Sequence, residues 1–410
     1  MSHLESVSNR SNVYAEVALY DQKKLIELRR YVNELYFHRR LSKRAIARQT
    51  GMSRDFVNKW TESADQEFIQ DKRGWKKGLR RKWDQVTEDR IREIHEYLVT
   101  DPNEFYVGAT SIAQVWRNQY PDAPIPPLRT IGQIMKDLGL TKSRKSPKRK
   151  GAARYLCYPE HTVYTLGNRV MESDFIGGKY IRGVSKPIHF IGFSLKKPPK
   201  MRYYKRVSSP SADCFISTSA ELFQTFEIPD CMKMDNGPAM IGSSSGKRNI
   251  SRVMAFLFKH QVIPIFSVPR KPFSQASIEG NNSVFARKFW KSREFSSLDE
   301  IDEHLTQFNA ASQRYHGYEP PKTRSRKSRF RQEVYFLRQV GETDETSSKG
   351  WINILNERVL LPEEFINYFV ISHWDITREK LITYIESEKT LNEINKICFQ
   401  VNKRSLKLLI

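Results

Sequence analysis

Asp174 stands in MESDFIGG, Asp235 in MKMDNGPAM and Glu279 in PFSQASIEGNNSVFARKFW. Each falls at the end or start of an expected core element, beside residues that let a backbone turn sharply. Asp174 is expected to end one strand and Asp235 another, where Asn236 and Gly237 tolerate positive φ. Glu279 is expected just inside a helix behind a proline-bearing loop. In a sheet-based core, three such positions converge on one edge. Carboxylates without a His or Cys cluster suit hard, oxygen-preferring cations, and Mg²⁺ (or Mn²⁺) keeps part of its water shell, so a few acids suffice. Two such ions about 4 Å apart activate a nucleophile, stabilise a leaving oxygen and neutralise a crowded phosphorus, as hydrolysis or transfer of a phosphodiester requires. Asp174 as a bridge flanked by Asp235 and Glu279 meets that need.

The elements that must carry these acids follow from periodicity. Arg169 to Phe175, Pro187 to Leu195, Met201 to Val207, Cys231 to Met234 and Gln261 to Val268 read as short strands. Helical stretches run from Ala212 to Phe226, Ile250 to His260, Ser277 to Trp290 and Leu298 to Tyr315. Together they predict a mixed α/β core over residues 159–318. Basic connectors at 142–158 and 319–345 bound it, and a small β-rich C-terminal domain is expected over 346–410 from INIL, RVLLP, YFVISHWD and LITYI. The last stretch, around Ile394, Ile397 and Val401, is ambiguous.

Two all-α units precede the core. In the first, over residues 1–70, Leu25, Leu28, Val32 and Leu35 form one helical stripe. In LSKRAIARQTGMSRDFVNKW, Ser42 and Ser53 are placed to cap two helices about a turn at Gly51. That is a helix-turn-helix pattern, and Arg54, Asn58 and Lys59 would face outward as residue types that reach phosphates and base edges. A basic linker over 71–86, DKRGWKKGLRRKWD at its heart, suits a DNA backbone, although a solvated connector explains the same composition. The second unit, 87–141, resembles a helix-turn-helix arrangement and offers Arg129 to Lys136 as its candidate recognition helix.

Lys and Arg total 69 against 46 Asp and Glu, a formal charge of +23, so the large partner is expected to be a polyanion, with nucleic acid first. No apolar run reaches the roughly 18 residues of a membrane span, and the polar MSHLESVSNRSN lacks the apolar segment of a secretory signal. A cytoplasmic, nucleoid-associated protein without a membrane partner is expected. Cys157, Cys214, Cys231 and Cys398 lie far apart, which argues for free thiols rather than a disulfide framework or zinc ribbon.

The series from Asp174 through MKMDNGPAM to PFSQASIE resembles the acidic-triad core of retroviral integrases and of related bacterial insertion-sequence transposases. SVPRKPFSQASIEGNN, with prolines and Gln275 before the acid and Asn282 three residues after it, is similar to the loop and helix around that family's final Glu. The resemblance implies a ribonuclease-H-like fold for 159–318, with Asp174, Asp235 and Glu279 ligating two Mg²⁺ (or Mn²⁺) ions per site. It also implies DNA integration and recombination: cleavage at transposon ends and strand transfer into target double-stranded DNA by a homo-oligomer. Asn282, Arg287 and Lys288 would then face the DNA end, and a solvated basic helix is the alternative for the last two. The 43 residues between Asp235 and Glu279 are more than the family usually has, and the polar loop Ile241 to Asn249 accounts for the excess. No cysteine precedes Cys157, so the zinc module of retroviral integrases is missing and the bacterial type is nearer. The competing reading is a sequence-specific DNA-binding regulator with a catalytically silent nuclease-like core. An accessory ATPase is left open by the sequence.

Overall fold

The computed structural model describes residues 22–64, 83–141, 158–167, 169–242, 246–320, 332–342 and 349–408. The first 21 residues and most of the three expected basic connectors therefore lie outside the described residues. Contacts divide the chain into two compact units, Met1–Trp83 and Asp84–Ile410.

In the first unit, α1 (Gln22–Phe37), α2 (Lys43–Thr50) and α3 (Arg54–Trp60) pack on Val32, Leu35, Ile46, Val57 and Trp60. The expected caps form. Ser42 Oγ accepts from Ala45 N at 3.3 Å, Ser53 Oγ accepts from Phe56 N at 3.1 Å, and Gly51 ends α2 with φ of 69°.

The second unit begins with α4 (Gln85–Thr100), α5 (Ala109–Gln119) and α6 (Leu128–Asp137), whose apolar faces meet through Ile91, Ile94, Leu98, Ile112, Trp116, Ile131 and Ile134. Expected as a domain apart, this bundle is instead part of the same compact unit as the sheet. Phe105 and Tyr106, on the loop between α4 and α5, are buried in an aromatic cluster of the core, and Tyr106 stacks on Tyr315 with ring centroids 4.3 Å apart. Hydrophobic spacing along a helix does not register such a docking surface, because it lies on a loop.

After α7 (Glu160–Thr165) come β1 (Val170–Lys179), β2 (Ile188–Leu195), β3 (Met201–Val207), α8 (Ala212–Thr225) and β4 (Cys231–Met234). Then follow α9 (Pro238–Ile241), α10 (Arg252–Lys259), β5 (Ile263–Phe266), α11 (Ala276–Phe285), a π-helical turn Ala286–Trp290 and α12 (Leu298–His316). β1, β2 and β3 are antiparallel neighbours, and β1, β4 and β5 run parallel, giving the order β3-β2-β1-β4-β5. This large mixed sheet flanked by helices is consistent with a ribonuclease-H-like α/β core. Alternation sorts its faces: Ile191 and Phe193 of β2 point with Met171 and Met232 toward α8 and α10, whereas Phe190 points toward α11 and α12.

Two boundaries differ from the sequence reading. The stretch 319–345 contains β6 (Glu333–Gln339), which pairs parallel to β5 through Ile265↔Tyr335 and Phe266↔Phe336. β6 then pairs with β9 (Phe369–Asp375), followed by β10 (Lys380–Ser387) and β11 (Thr390–Cys398), so one nine-stranded sheet spans both regions. Among the described residues only the hairpin β7 (Gly350–Ile354) and β8 (Glu357–Leu361) stands as its own sheet, and it packs into the same apolar cluster as α8 and α10. A separate C-terminal β domain over 346–410 is thus corrected. The apolar residues of EVYFLRQ, a strand buried on both faces, were hidden behind the basic run that precedes them.

Candidate active site

β1 and β4 lie side by side in parallel register, with Val170 opposite Cys231 and Glu172 opposite Lys233. Two residues further along each strand direction come Asp174 and Asp235, so both acids project from the face that meets α11. Asp174 is not a strand end, as expected, but mid-strand: β1 runs on through Gly177 and Gly178 to Lys179, with a register irregularity between Ile176 and Lys179 and φ of 65° at Gly178. The glycines, read as a stop, make a bulge. Nor does the turn after Asp235 need positive φ. Gly237 has φ of −61° and begins α9, and its N–H donates to Asp235 Oδ1 at 3.1 Å. A Cβ on Gly237 would stand 3.1 Å from Asp235 Oδ2, a tight contact that a larger residue would relieve only by shifting the carboxylate.

Asp174, Asp235 and Glu279 line one open pocket together with Asn236, Gly237, Arg270, Lys271 and Gln275. The long spacing between Asp235 and Glu279 does not remove the Glu from it. Asp174 and Asp235 are half-buried, and Glu279 is exposed on the first turn of α11. Burial, reinforced by the nearby Asp235 and Glu279 charges, pushes the Asp174 carboxyl up to about 6. Burial raises Asp235 as well, and Glu279 is raised by burial and by the Glu172 charge.

Among the described residues none of the three acids makes an ion pair, and the nearest cations of the same pocket, Arg270 and Lys271, stand at its rim. Among the described residues no three His, Cys, Asp or Glu side chains close on one point as a complete metal cage. An oxygen-only donor set of this openness fits an ion bound through one or two carboxylates that completes its shell with water and substrate phosphate. It does not suit a closed tetrahedral site.

Of the other predicted residues, Asn282 is turned to the acids rather than outward: its Nδ2 donates to Asp174 Oδ2 at 2.9 Å. Arg287 is exposed, its Nε bonded to Ser283 O of its own helix. Lys288, expected to face DNA, points into the docking surface of the α4–α6 bundle. Its Nζ donates to Phe105 O at 2.5 Å and lies 4.5 Å from the Tyr106 ring centre. Lys288 lies in the π-helical turn Ala286–Trp290 that continues α11, and successive residues on a helix point about 100° apart, so it faces another way than Arg287. In the first unit Arg54 and Asn58 are exposed, and Lys59 lies over Trp60 at 4.8 Å. Arg129 is exposed on α6.

Three residues escaped the sequence reading: Glu172 and Lys233 are buried beneath the acids, and Gly192, opposite Asp174 on β2, leaves room for Asn282 and Tyr204. Asn236, read as a turn residue, instead has Nδ2 donating to Ser267 O at 2.6 Å. A signal for the first two exists: MESD and MKMD place opposite charges two residues before each Asp.

No family model and no curated protein matches the chain. Among solved structures it is similar to the catalytic core domain of bovine immunodeficiency virus (BIV) integrase, with 11% identity and TM-score 0.26 over 35% of this chain and 83% of that one. A simian T-cell lymphotropic virus intasome in complex with PP2A regulatory subunit B56 gamma gives 12% and 0.30 over 74% and 95%. The HTLV-2 integrase catalytic core domain in complex with magnesium gives 12% and 0.25 over 34% and 84%. Likeness at this level carries no argument, and the chain's own residues must carry it.

Proposed function

We propose that this protein is a DDE-type polynucleotidyl transferase, a DNA transposase or integrase of insertion-sequence type. The observation that carries the reading is the meeting of Asp174, Asp235 and Glu279 in one pocket, contributed by β1, the turn after β4 and the start of α11. In the first step a water oxygen forms a bond to phosphorus as the P–O3′ bond breaks, leaving a 3′-hydroxyl at the element's end. In the second, that hydroxyl attacks a target phosphodiester and the target's own 3′-oxygen leaves.

Asp174, Asp235 and Glu279 would hold two Mg²⁺ (or Mn²⁺) ions, which when bound supply Lewis acidity and charge neutralisation at phosphorus. The chain's residues bind and align. Asn282 fixes the Asp174 carboxylate, the Gly237 N–H fixes Asp235, and the exposed Arg270 and Lys271 at the rim offset phosphate charge. Exposed Arg54 and Asn58 of α3 and Arg129 of α6 are assigned to duplex binding, with Arg287 beside the site. Lys288 is withdrawn from that role by its half-buried hydrogen bond to Phe105 O. Action by a homo-oligomer bridging two DNA ends, and a nucleoid location, belong to the same reading, which makes no commitment on an ATPase partner. No described helix is long and apolar enough to cross a membrane.

The test is nicking and joining of duplex oligonucleotides carrying the inverted repeats that flank the gene, with Mg²⁺. Wild type should do both, and Asp235→Asn should do neither while binding duplex equally. Wild-type rates from Asp235→Asn would end the proposal.

A further inference from the structure

Beneath the three acids lies a second polar cluster, built on a fully buried ion pair. Glu172 and Lys233 are 1% and 2% exposed and form an ion pair at 3.4 Å between Oε1 and Nζ. Tyr164 OH donates to the same Oε1 at 3.0 Å, and the backbone N–H of Ile278 donates to Oε2 at 2.8 Å. Lys233 Nζ also lies 5.8 Å from the ring centres of both Tyr158 and Tyr164. Each member adjoins one acid: Glu172 precedes Asp174 by two residues on β1, Lys233 precedes Asp235 by two beyond β4, and Ile278 is next to Glu279. Because strand side chains repeat their direction every second residue, each charge lies on the face of the acid beside it. Glu172 and Lys233 are moreover direct cross-strand partners.

Burying a full ion pair costs several kcal/mol per ion and is weak support for stability, since an apolar pair of similar volume usually serves as well. What this pair does that an apolar pair would not is accept a hydrogen bond. Ile278 lies in the first turn of α11, where backbone N–H groups have no partner within the helix. The Glu172 carboxylate supplies one from another element and sits at the positive end of the helix. Resting on the reading of the acids as the reaction centre, we infer that Glu172, held by Lys233 and Tyr164, is a positioning residue that fixes the start of α11, and hence Glu279, relative to Asp174 and Asp235.

Glu172→Ala alone would strand the Lys233 charge and can fail to fold, so the test compares two double variants of the full chain. Glu172→Gln with Lys233→Met removes both charges but keeps an oxygen for the Ile278 N–H. Glu172→Leu with Lys233→Met keeps the volume and loses the acceptor. Hydrogen–deuterium exchange is followed at the start of α11 and at β9, and the Mg²⁺ concentration giving half-maximal nicking is measured beside duplex affinity. In the Leu/Met variant, exchange at the start of α11 should quicken and the Mg²⁺ requirement should rise, each about tenfold or more, with β9 and duplex affinity unchanged. The Gln/Met variant should stay within about threefold of wild type on both readings by the same outer-shell reasoning. Equal behaviour of the two variants, or quickening spread equally over α11 and β9, overturns the inference. If wild type neither nicks nor joins, the functional proposal falls by itself, and the exchange arm still decides whether Glu172 holds the helix.

Discussion

Replacing Asp174 by Asn should make the protein more stable when divalent ions are chelated, and less responsive when they are restored. The carboxyl is pushed from its ordinary 3.8 to about 6 by burial and by the neighbouring Asp235 and Glu279 charges. Between those two pH values the folded state binds more protons than the unfolded state, so stability falls as pH rises through the window, and the full penalty is present above about pH 6. The size of the shift sets an upper bound of ~3 kcal/mol at pH 8. Asn is near in volume and its Oδ1 can still accept from Asn282, so little packing is lost. For a unit of the length of Asp84–Ile410, an unfolding entropy of about 2.1 cal/mol/K per residue converts this into a melting temperature higher by up to ~4 °C. Differential scanning calorimetry in chelator at pH 8 and pH 5 measures it: the variant should melt above wild type at pH 8, and the gap should narrow at pH 5. Added Mg²⁺ should then raise wild type and leave the variant nearly unmoved. A variant that melts at or below wild type at pH 8, or a gap independent of pH, would refute the idea that burial of the Asp174 charge, reinforced by Asp235 and Glu279, destabilises the ion-free site.

Asn282→Ala removes the donor to Asp174 Oδ2 and should lower nicking at saturating DNA by about 10- to 100-fold without changing duplex affinity, as single-turnover rates will show. Gly192→Ala would bring a Cβ to 2.9 Å from Tyr204 Cε1 and 3.3 Å from Asn282 Oδ1, so denaturant unfolding should show a loss of about 1–3 kcal/mol together with slower nicking. Lys288→Ala cuts the tie to Phe105 O, and limited proteolysis should find the α4–α6 bundle more readily cleaved while duplex affinity is unchanged; weakened duplex binding instead would return Lys288 to the DNA-facing role. Ser53→Ala should cost the α3 cap about 1 kcal/mol, read from urea unfolding of the full chain by circular dichroism.

Much of this architecture was legible because local rules suffice for it. Serine caps at Ser42 and Ser53, the left-handed Gly51, and strands Met201–Val207 and Cys231–Met234 follow from capping and periodicity alone. That the three acids line one pocket agrees with the convergence expected from their placement at element ends, although the turn after Asp235 is a helix start rather than a positive-φ turn. What sequence could not supply was partnership across distance. That Asn282 serves Asp174, that Lys288 serves Phe105 and that Ile278 N–H is held by Glu172 depend on residues at least 106 positions apart. β6 was missed for another reason: a strand buried on both faces lacks the alternation used to find strands, and its basic prelude masked it.

The continuity of the sheet through β5 and β6 bears on how such a chain can be divided or recombined. Ending it after residue 318 would strip the hydrogen-bonding partner from β5, the strand beside Asp235's own, and leave a parallel edge open to pairing with other chains. A fragment cut at the end of α12 should therefore self-associate rather than behave as a free-standing catalytic piece.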